Sequence, residues 1–128
     1  MLAQIKDVLI ITRKEDLKSF KALLGDGRNL GMSISYAIQK KPKGIADAFI
    51  IGEKFIGKNN VSLILGDNFF YGQALTPILK KCTKLKNGAT VFLHAVKDPS
   101  AYAVAKVNNR NKITKIVEKP KKPFSKHV

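Results

Sequence analysis

The stretch Val61-Ser-Leu-Ile-Leu-Gly-Asp-Asn-Phe-Phe-Tyr-Gly72 organises the predicted fold. Its apolar run, Val61 to Leu65, lies between turn-forming residues, which is typical of a strand buried on both faces. Gly66 lets the backbone turn sharply at the carboxyl end of that strand, the end where ligands bind in open α/β sheets. Asp67 follows directly, and a carboxylate there suits a hard cation such as Mg²⁺ carrying phosphate oxygens. The same pattern also fits a loop aspartate that caps a turn.

Strands and helices alternate over the first 96 residues. The apolar patterns predict strands over residues 5–12, 32–38, 61–65 and 89–96, with helices over residues 14–24, 45–55 and 73–85. This alternation predicts an α/β fold with a mostly parallel, three-layer sheet. Near the C-terminus, two short strands over residues 102–107 and 113–117 surround an Asn-rich turn and predict an antiparallel hairpin.

The composition excludes several classes of protein. The 128 residues suffice for one domain with a modest core, and a hydrophobic content of 45% excludes a disordered chain. Cys82 is the single cysteine, so the chain forms no intramolecular disulfide, and its place on an apolar helical face favours a packed thiol. No stretch resembles a signal peptide or reaches the ~20 apolar residues of a membrane span, and we expect a cytoplasmic protein.

The net charge of +15 is the unusual feature of the composition. It permits a nucleic-acid-binding hypothesis. However, the excess comes from lysines spread along the chain, and the three arginines are Arg13, Arg28 and Arg110. Because specific readers of nucleic acid depend on arginine for bidentate contacts, the pattern favours a solvated lysine surface, which is also compatible with an anionic small substrate.

A second candidate site lies where the strand over residues 32–38 passes into the helix that begins near Ile45. The loop between them runs from Gln39 to Gly44 and contains Pro42. Free N–H groups at a helix start that follows a strand can bind an anion or a base edge. The alternative is an ordinary strand-to-helix connection. His94 lies in a predicted strand without a carboxylate or serine partner, which favours a structural role.

Several phrases then occur together in one order. They are Ala22-Leu-Leu-Gly-Asp-Gly27, Gln39 through Pro42-Lys-Gly-Ile-Ala46, Ala48-Phe-Ile-Ile-Gly-Glu53, Leu65-Gly-Asp-Asn-Phe-Phe-Tyr-Gly72, Gly88-Ala-Thr-Val-Phe92, Asp98-Pro99, Tyr102 and Glu118-Lys-Pro120. In this combination the chain resembles the sugar-phosphate nucleotidyltransferases, and among them the glucose-1-phosphate thymidylyltransferases of nucleotide-sugar biosynthesis. The resemblance implies a Rossmann-like sheet, present in part, over a domain of residues 1–124 with residues 125–128 as a tail.

The resemblance also implies a role for each matching residue. Asp67 would be one of two aspartates that hold Mg²⁺ on the phosphates of dTTP. Gln39 would hydrogen-bond the base edge, and Gly44 would let the backbone approach the base. Tyr102, Glu118 and Lys119 would lie around glucose 1-phosphate. The implied reaction needs positioning and charge neutralisation rather than a covalent nucleophile, so the lack of a Ser–His or Cys–His pair is no objection.

The match to the family has gaps. The family's glycine-rich triphosphate loop, Gly-Gly-x-Gly-Thr-Arg, has no counterpart in residues 1–128, and the second metal aspartate is expected beyond Val128. Two departures lie inside the match: Asp47 stands where the family has a Gln, and Ala103 where it has a Gly. We therefore expect that the isolated chain does not catalyse the transfer reaction.

Two alternatives from other classes follow. A non-catalytic binding or assembly module would use an uncovered sheet edge or apolar face to form a homo-oligomer or to bind a complementing chain. A basic nucleic-acid-binding protein is the weaker alternative, because it depends on the net charge alone. No membrane partner is expected.

Overall fold

The computed structural model describes residues 3–128, which form two compact units. The first ends at Asn87, and the second comprises Gly88–Val128. The first unit contains a parallel two-stranded sheet with helices, and the second contains an antiparallel hairpin. These elements confirm the predicted α/β class and the hairpin near the C-terminus.

The parallel sheet of the first unit pairs β1 (Asp7–Thr12) with β2 (Ser33–Ile38). Asp7 lies opposite Ser33, and the register continues without a break to Thr12 opposite Ile38. Helix α1 (Leu17–Leu24) lies between the two strands in the chain, so the three elements form a βαβ unit as predicted. The apolar block of β1 is half-buried, and Ile34 of β2 is buried.

The connection from α1 to β2 depends on glycine. Gly25 ends α1 with φ 56°, and the buried Gly27 has φ 82°, in the left-handed region that glycine adopts most readily. A Cβ atom on Gly27 would lie 2.6 Å from Ile34 Cγ1, so Gly27 lies directly against the buried residue of β2. The Tyr36 hydroxyl of β2 donates to the Gly25 carbonyl at 2.7 Å and attaches the end of α1 to the sheet.

The helix predicted over residues 45–55 is divided. The structure has α2 (Asp47–Ile51) and α3 (Glu53–Ile56), with Gly52 between them. A Cβ atom on Gly52 would lie 3.4 Å from Leu9 Cδ2, so the break lies against β1. The helix predicted over residues 73–85 is confirmed in shorter form as α4 (Leu75–Cys82), and Cys82 is half-buried on it.

The prediction of a buried strand over residues 61–65 is wrong in this structure. The segment is exposed, and no segment within residues 3–128 pairs with it. An extended segment becomes a strand only when a neighbour supplies partners for its N–H and C=O groups, and that neighbour is lacking in the described part of the chain. The turn after it does form, with the Asn68 N–H donating to the Leu65 carbonyl at 3.0 Å.

In the second unit, the hairpin pairs β3 (Ala103–Val107) with β4 (Ile113–Glu118). Val104 and Ala105 of β3 are buried. The Asn-rich turn is closed by the Asn108 side chain, whose Oδ1 accepts the N–H groups of Arg110 and Lys112, each at 3.0 Å.

The strand predicted over residues 89–96 is found only as a short pairing at its end. His94 and Val128 exchange two backbone hydrogen bonds of 2.9 Å, and the Val96 N–H donates to the Lys126 carbonyl at 3.0 Å. Residues 91–93 lie outside the named strands of the described chain. Residues 126–128, which were predicted to belong to a tail, thus supply the partner strand.

None of the helices in residues 3–128 has the length and hydropathy that crossing a membrane requires.

Candidate active site

The parallel sheet fixes the main chain of Gln39. This residue directly follows β2, and its N–H donates to the Thr12 carbonyl at 2.9 Å, which extends the ladder by one bond. The side chain is half-buried, and its Nε2 donates to Asp47 Oδ2 at 2.9 Å. Gln39 is therefore held at its backbone by β1 and at its amide by the first turn of α2.

Gly44 lies at the other end of the same loop and adopts φ 92°. Its carbonyl accepts the Asp47 N–H at 3.3 Å, so the chain begins to turn into α2 at this residue. A Cβ atom on Gly44 would meet nothing within 4 Å, so the backbone conformation rather than packing calls for glycine here. The exposed, open backbone at Gly44 leaves room for a ligand to approach closely.

Asp67 lies in the exposed turn that follows residues 61–65. Within residues 3–128, its carboxylate takes part in no ion pair, and no group of three or more His, Cys, Asp or Glu residues is placed to hold a metal ion. An exposed carboxylate without a cationic partner fits the donor chemistry of Mg²⁺, which it would serve as one ligand. The described residues do not assemble a complete metal site around it.

The three candidate sugar-phosphate residues meet at one end of the hairpin. Glu118, the last residue of β4, lies opposite Ala103, the first residue of β3. The Lys119 N–H donates to the Tyr102 carbonyl at 3.0 Å, which extends the pairing by one residue on each strand. Tyr102, Glu118 and Lys119 are all exposed, so they are free to contact a ligand.

The backbone at this end of the hairpin is constrained. Lys119 has φ 41°, which is rare for a residue with a side chain, and it precedes Pro120. The turn before Tyr102 is set by Asp98: the Ser100 N–H donates to Asp98 Oδ1 at 3.0 Å, and this bond holds the pKa of the Asp98 carboxyl below its ordinary value. Left-handed backbone of this kind is found more often at functional sites than elsewhere.

The predicted site residues thus form two groups, and Asp67 belongs to neither. The first unit brings Gln39 and Gly44 together in one loop, and the second brings Tyr102, Glu118 and Lys119 together. Asp67 lies in the first unit, in a different loop from Gln39 and Gly44. The sequence reasoning missed the contact of Asp47 with Gln39, although the departure from the family at position 47 was a signal that this loop is built differently.

The loop around Gln39 and Gly44 is positively charged. Lys40, Lys41 and Lys43 are exposed. The ion pairs found in residues 3–128 are Arg13 with Asp16 and Arg28 with Asp26, so none of these three lysines is neutralised by an ion pair. Free lysines beside an amide and an open glycine backbone are suited to a ligand that carries both a base and phosphates.

Known proteins resemble the chain along its whole length. A family model described as nucleotidyl transferase matches residues 1–128. The glucose-1-phosphate thymidylyltransferase of Neisseria meningitidis serogroup A is 54% identical over 125 residues, which are 98% of this chain and 43% of that protein. The protein of the same name from Xanthomonas campestris pv. campestris is 44% identical over 128 residues, with 43% of its length covered.

A solved structure gives the same result for the fold. A crystal structure from Bacillus anthracis, assigned as a glucose-1-phosphate thymidylyltransferase and solved in complex with sucrose, superposes with a TM-score of 0.87 at 41% identity. The match covers 98% of this chain and 50% of that one, so the chain spans about half of the structure that it resembles and less than half of the curated relatives named above. By the match over its whole length, the chain belongs to the nucleotidyl transferase family.

Proposed function

We propose that the chain contributes to nucleotidyl transfer from dTTP to glucose 1-phosphate, giving dTDP-glucose and pyrophosphate. The observation that carries this proposal is the loop between β2 and α2, where a fixed glutamine amide and an open glycine backbone lie five residues apart. The identity of 54% to a glucose-1-phosphate thymidylyltransferase supports the choice of substrates.

In this proposal the first unit binds the nucleotide. The Gln39 amide hydrogen-bonds the edge of the base, and the backbone at Gly44 lies against it. Lys40, Lys41 and Lys43 add positive charge near the same loop. Asp67 would be a ligand of Mg²⁺, and the bound ion would supply charge neutralisation for the nucleotide phosphates.

The second unit binds the sugar phosphate in the same proposal. Glu118 accepts hydrogen bonds from sugar hydroxyls, the Tyr102 ring lies beside the sugar, and the Lys119 ammonium faces the phosphate charge. A phosphate oxygen of glucose 1-phosphate attacks the α-phosphorus of dTTP and forms a new P–O bond. The bond from the α-phosphorus to the bridging oxygen breaks, and pyrophosphate leaves with that electron pair. Catalysis here comes from positioning and from stabilising charge, and no side chain becomes covalently attached.

The test is equilibrium binding of dTTP to the 128-residue chain with and without MgCl₂. We expect binding to strengthen with Mg²⁺, and Asp67→Asn to remove that dependence because an amide is a far weaker ligand for the ion than a carboxylate. Glu53→Gln is the matched control, since it removes one exposed carboxylate from α3 and leaves Asp67 intact. An affinity for dTTP that changes neither with Mg²⁺ nor in Asp67→Asn would contradict the proposal.

Turnover by the same chain gives a second measurement. We expect no dTDP-glucose from dTTP and glucose 1-phosphate, because one exposed carboxylate is a poor site for a catalytic Mg²⁺ ion and residues 3–128 supply no cluster around it. Formation of dTDP-glucose by the purified chain would show that Asp67 and its neighbours suffice.

A second candidate function is an assembly module that binds a second copy of this chain. The observation in its favour is the exposure of the apolar segment 61–71, in which Phe69 is 88% and Tyr71 91% exposed. A continuous segment with exposed apolar side chains such as these is typical of surfaces that bind another protein chain. Sedimentation velocity distinguishes the two functions, since the module would associate with rising concentration and Phe69→Ser would weaken that association, whereas nucleotide binding requires neither result.

A further inference from the structure

The contact between Gln39 and Asp47 fixes which way the Gln39 amide faces. An ionised carboxylate only accepts hydrogen bonds, so Asp47 Oδ2 can be paired with the Gln39 nitrogen and never with the Gln39 oxygen. The 2.9 Å bond is charge-assisted and half-buried, and such bonds are stronger than those between neutral groups. A side-chain amide that could otherwise turn by 180° is thereby held in one orientation.

The surroundings show that this pairing is selective. Asp47 lies in the first turn of α2, close in sequence to Lys40, Lys41 and Lys43. In the described part of the chain, the Asp47 carboxylate forms an ion pair with none of these lysines, and its hydrogen bond goes to the neutral Gln39 amide. Both side chains are half-buried, whereas the three lysines are exposed. Within residues 3–128, the Asp47 carboxylate is therefore paired with the Gln39 amide and not with a neighbouring lysine.

We propose that Asp47 is a positioning residue that makes Gln39 selective for bases with a ring N–H group at the edge it contacts, such as thymine or uracil. With its nitrogen held by Asp47, Gln39 presents Oε1, an acceptor, together with its second N–H. The N3–H of thymine or uracil can donate to that oxygen. In a cytosine bound in the same pose, N3 is itself an acceptor, so the two acceptors would face each other and a hydrogen bond would be lost. This inference rests on the proposed function, in which Gln39 contacts the base.

The test compares dTTP and dCTP as ligands of the full chain in the presence of MgCl₂. We expect the wild-type chain to prefer dTTP by about tenfold, the usual effect of one unmatched hydrogen bond. In Asp47→Asn, residue 47 can either donate or accept, so the Gln39 amide can turn and the preference falls toward unity. Glu53→Gln is the control: it removes the same charge from the first turn of the next helix, and we expect it to keep the preference.

The selectivity ratio separates positioning from a merely structural role. A structural defect in Asp47→Asn would weaken the binding of dTTP and of dCTP alike and leave the ratio of the two affinities unchanged. That result would overturn the inference, and it would leave the proposed function intact if dTTP still binds. An equal preference for the two nucleotides in the wild-type chain would overturn it too.

A second measurement reads the contact without any nucleotide. In ¹⁵N-labelled protein, we expect one hydrogen of the Gln39 amide to exchange slowly with solvent and to have a shifted resonance, and Asp47→Asn to change both. If the wild-type chain binds neither nucleotide, the proposed function and the base selectivity fail together, and the amide resonance still decides the positioning contact. An amide signal identical in both proteins would overturn that contact.

Discussion

β1 and the segment 61–65 have nearly the same composition and different structures. Each contains four branched apolar residues: Val8 to Ile11 in a row in β1, and four of the five residues, interrupted by Ser62, in the segment 61–65. β1 pairs along its whole length with β2 and is half-buried, whereas residues 61–65 are exposed and have no partner strand within residues 3–128. The difference shows that an apolar run supplies only the propensity for a strand, and that a neighbouring strand is needed to form one.

The same difference divides the candidate site. Gln39 directly follows β2, so a backbone ladder and the Asp47 carboxylate hold it. Asp67 follows residues 61–65, so no ladder in the described chain holds the segment that carries it. Gln39, which is proposed to contact the base, is therefore held in place by both its backbone and its side chain. The position of Asp67, which is proposed to bind Mg²⁺, is set in the described chain only by the turn in which it lies.

The largest expected effect comes from truncating one isoleucine in each region. Ile34→Ala removes a buried side chain of β2, and we expect it to lower the free energy of unfolding by about 3 kcal/mol through lost burial and a cavity. Ile64 is 59% exposed, and Ile64→Ala should cost less than about 0.5 kcal/mol. Native-state hydrogen exchange of the β1 and β2 amides measures both values in the first unit. Similar losses in the two variants would show that residues 61–65 are packed in solution.

The elements that short-range sequence patterns specify were predicted. The elements and contacts that depend on residues distant in the sequence were not. The apolar block of β1, the helical spacing in α1 and the Asn-rich turn of the hairpin are short-range signals, and all three elements were found. The strand expected over residues 61–65 is not found in the described chain, and the one expected over residues 89–96 is found only as a short pairing at its end, because a strand depends on a partner that its own sequence does not specify. The contact of Asp47 with Gln39 was missed for the same reason, since it spans eight residues and a loop.

The helix expected over residues 45–55 shows a limit of another kind. The structure has two helices there, α2 and α3, with Gly52 between them, and the backbone of Gly52 lies close to Leu9 of β1. Glycine in a helical pattern fits either a weakened helix or a close contact with another element. For the site, Gln39 and Gly44 were predicted to share a loop, and they do. Their roles and that of Asp67 stay predictions.

The second expected effect tests how closely the connection to β2 is packed. Gly27→Ala places a Cβ atom 2.6 Å from Ile34 Cγ1 on a residue with φ 82°, and we expect a loss of about 2 kcal/mol from strain and overpacking. Gly31 is the matched control, because it is also left-handed, with φ 67°, and has nothing within 4 Å of its Cβ position. We expect about 1 kcal/mol for Gly31→Ala, from the backbone conformation alone. Urea unfolding of the two variants gives the difference, and equal losses would contradict the close contact of Gly27 with Ile34.

The smallest expected effect compares two tyrosine hydroxyls. In Tyr36→Phe the Gly25 carbonyl loses the 2.7 Å hydrogen bond that attaches the end of α1 to β2, and we expect the free energy of unfolding to fall by about 1 kcal/mol. The ring stays, so its contact with the Lys21 ammonium is kept and the change reports the hydroxyl alone. Tyr71 is 91% exposed, and Tyr71→Phe keeps its stacking on Phe69 while removing a hydroxyl that solvent can reach. We expect no measurable change by urea unfolding, because water replaces whatever that hydroxyl contacts. A loss at Tyr71 as large as that at Tyr36 would mean that segment 61–71 is ordered by contacts as strong as those of the paired sheet.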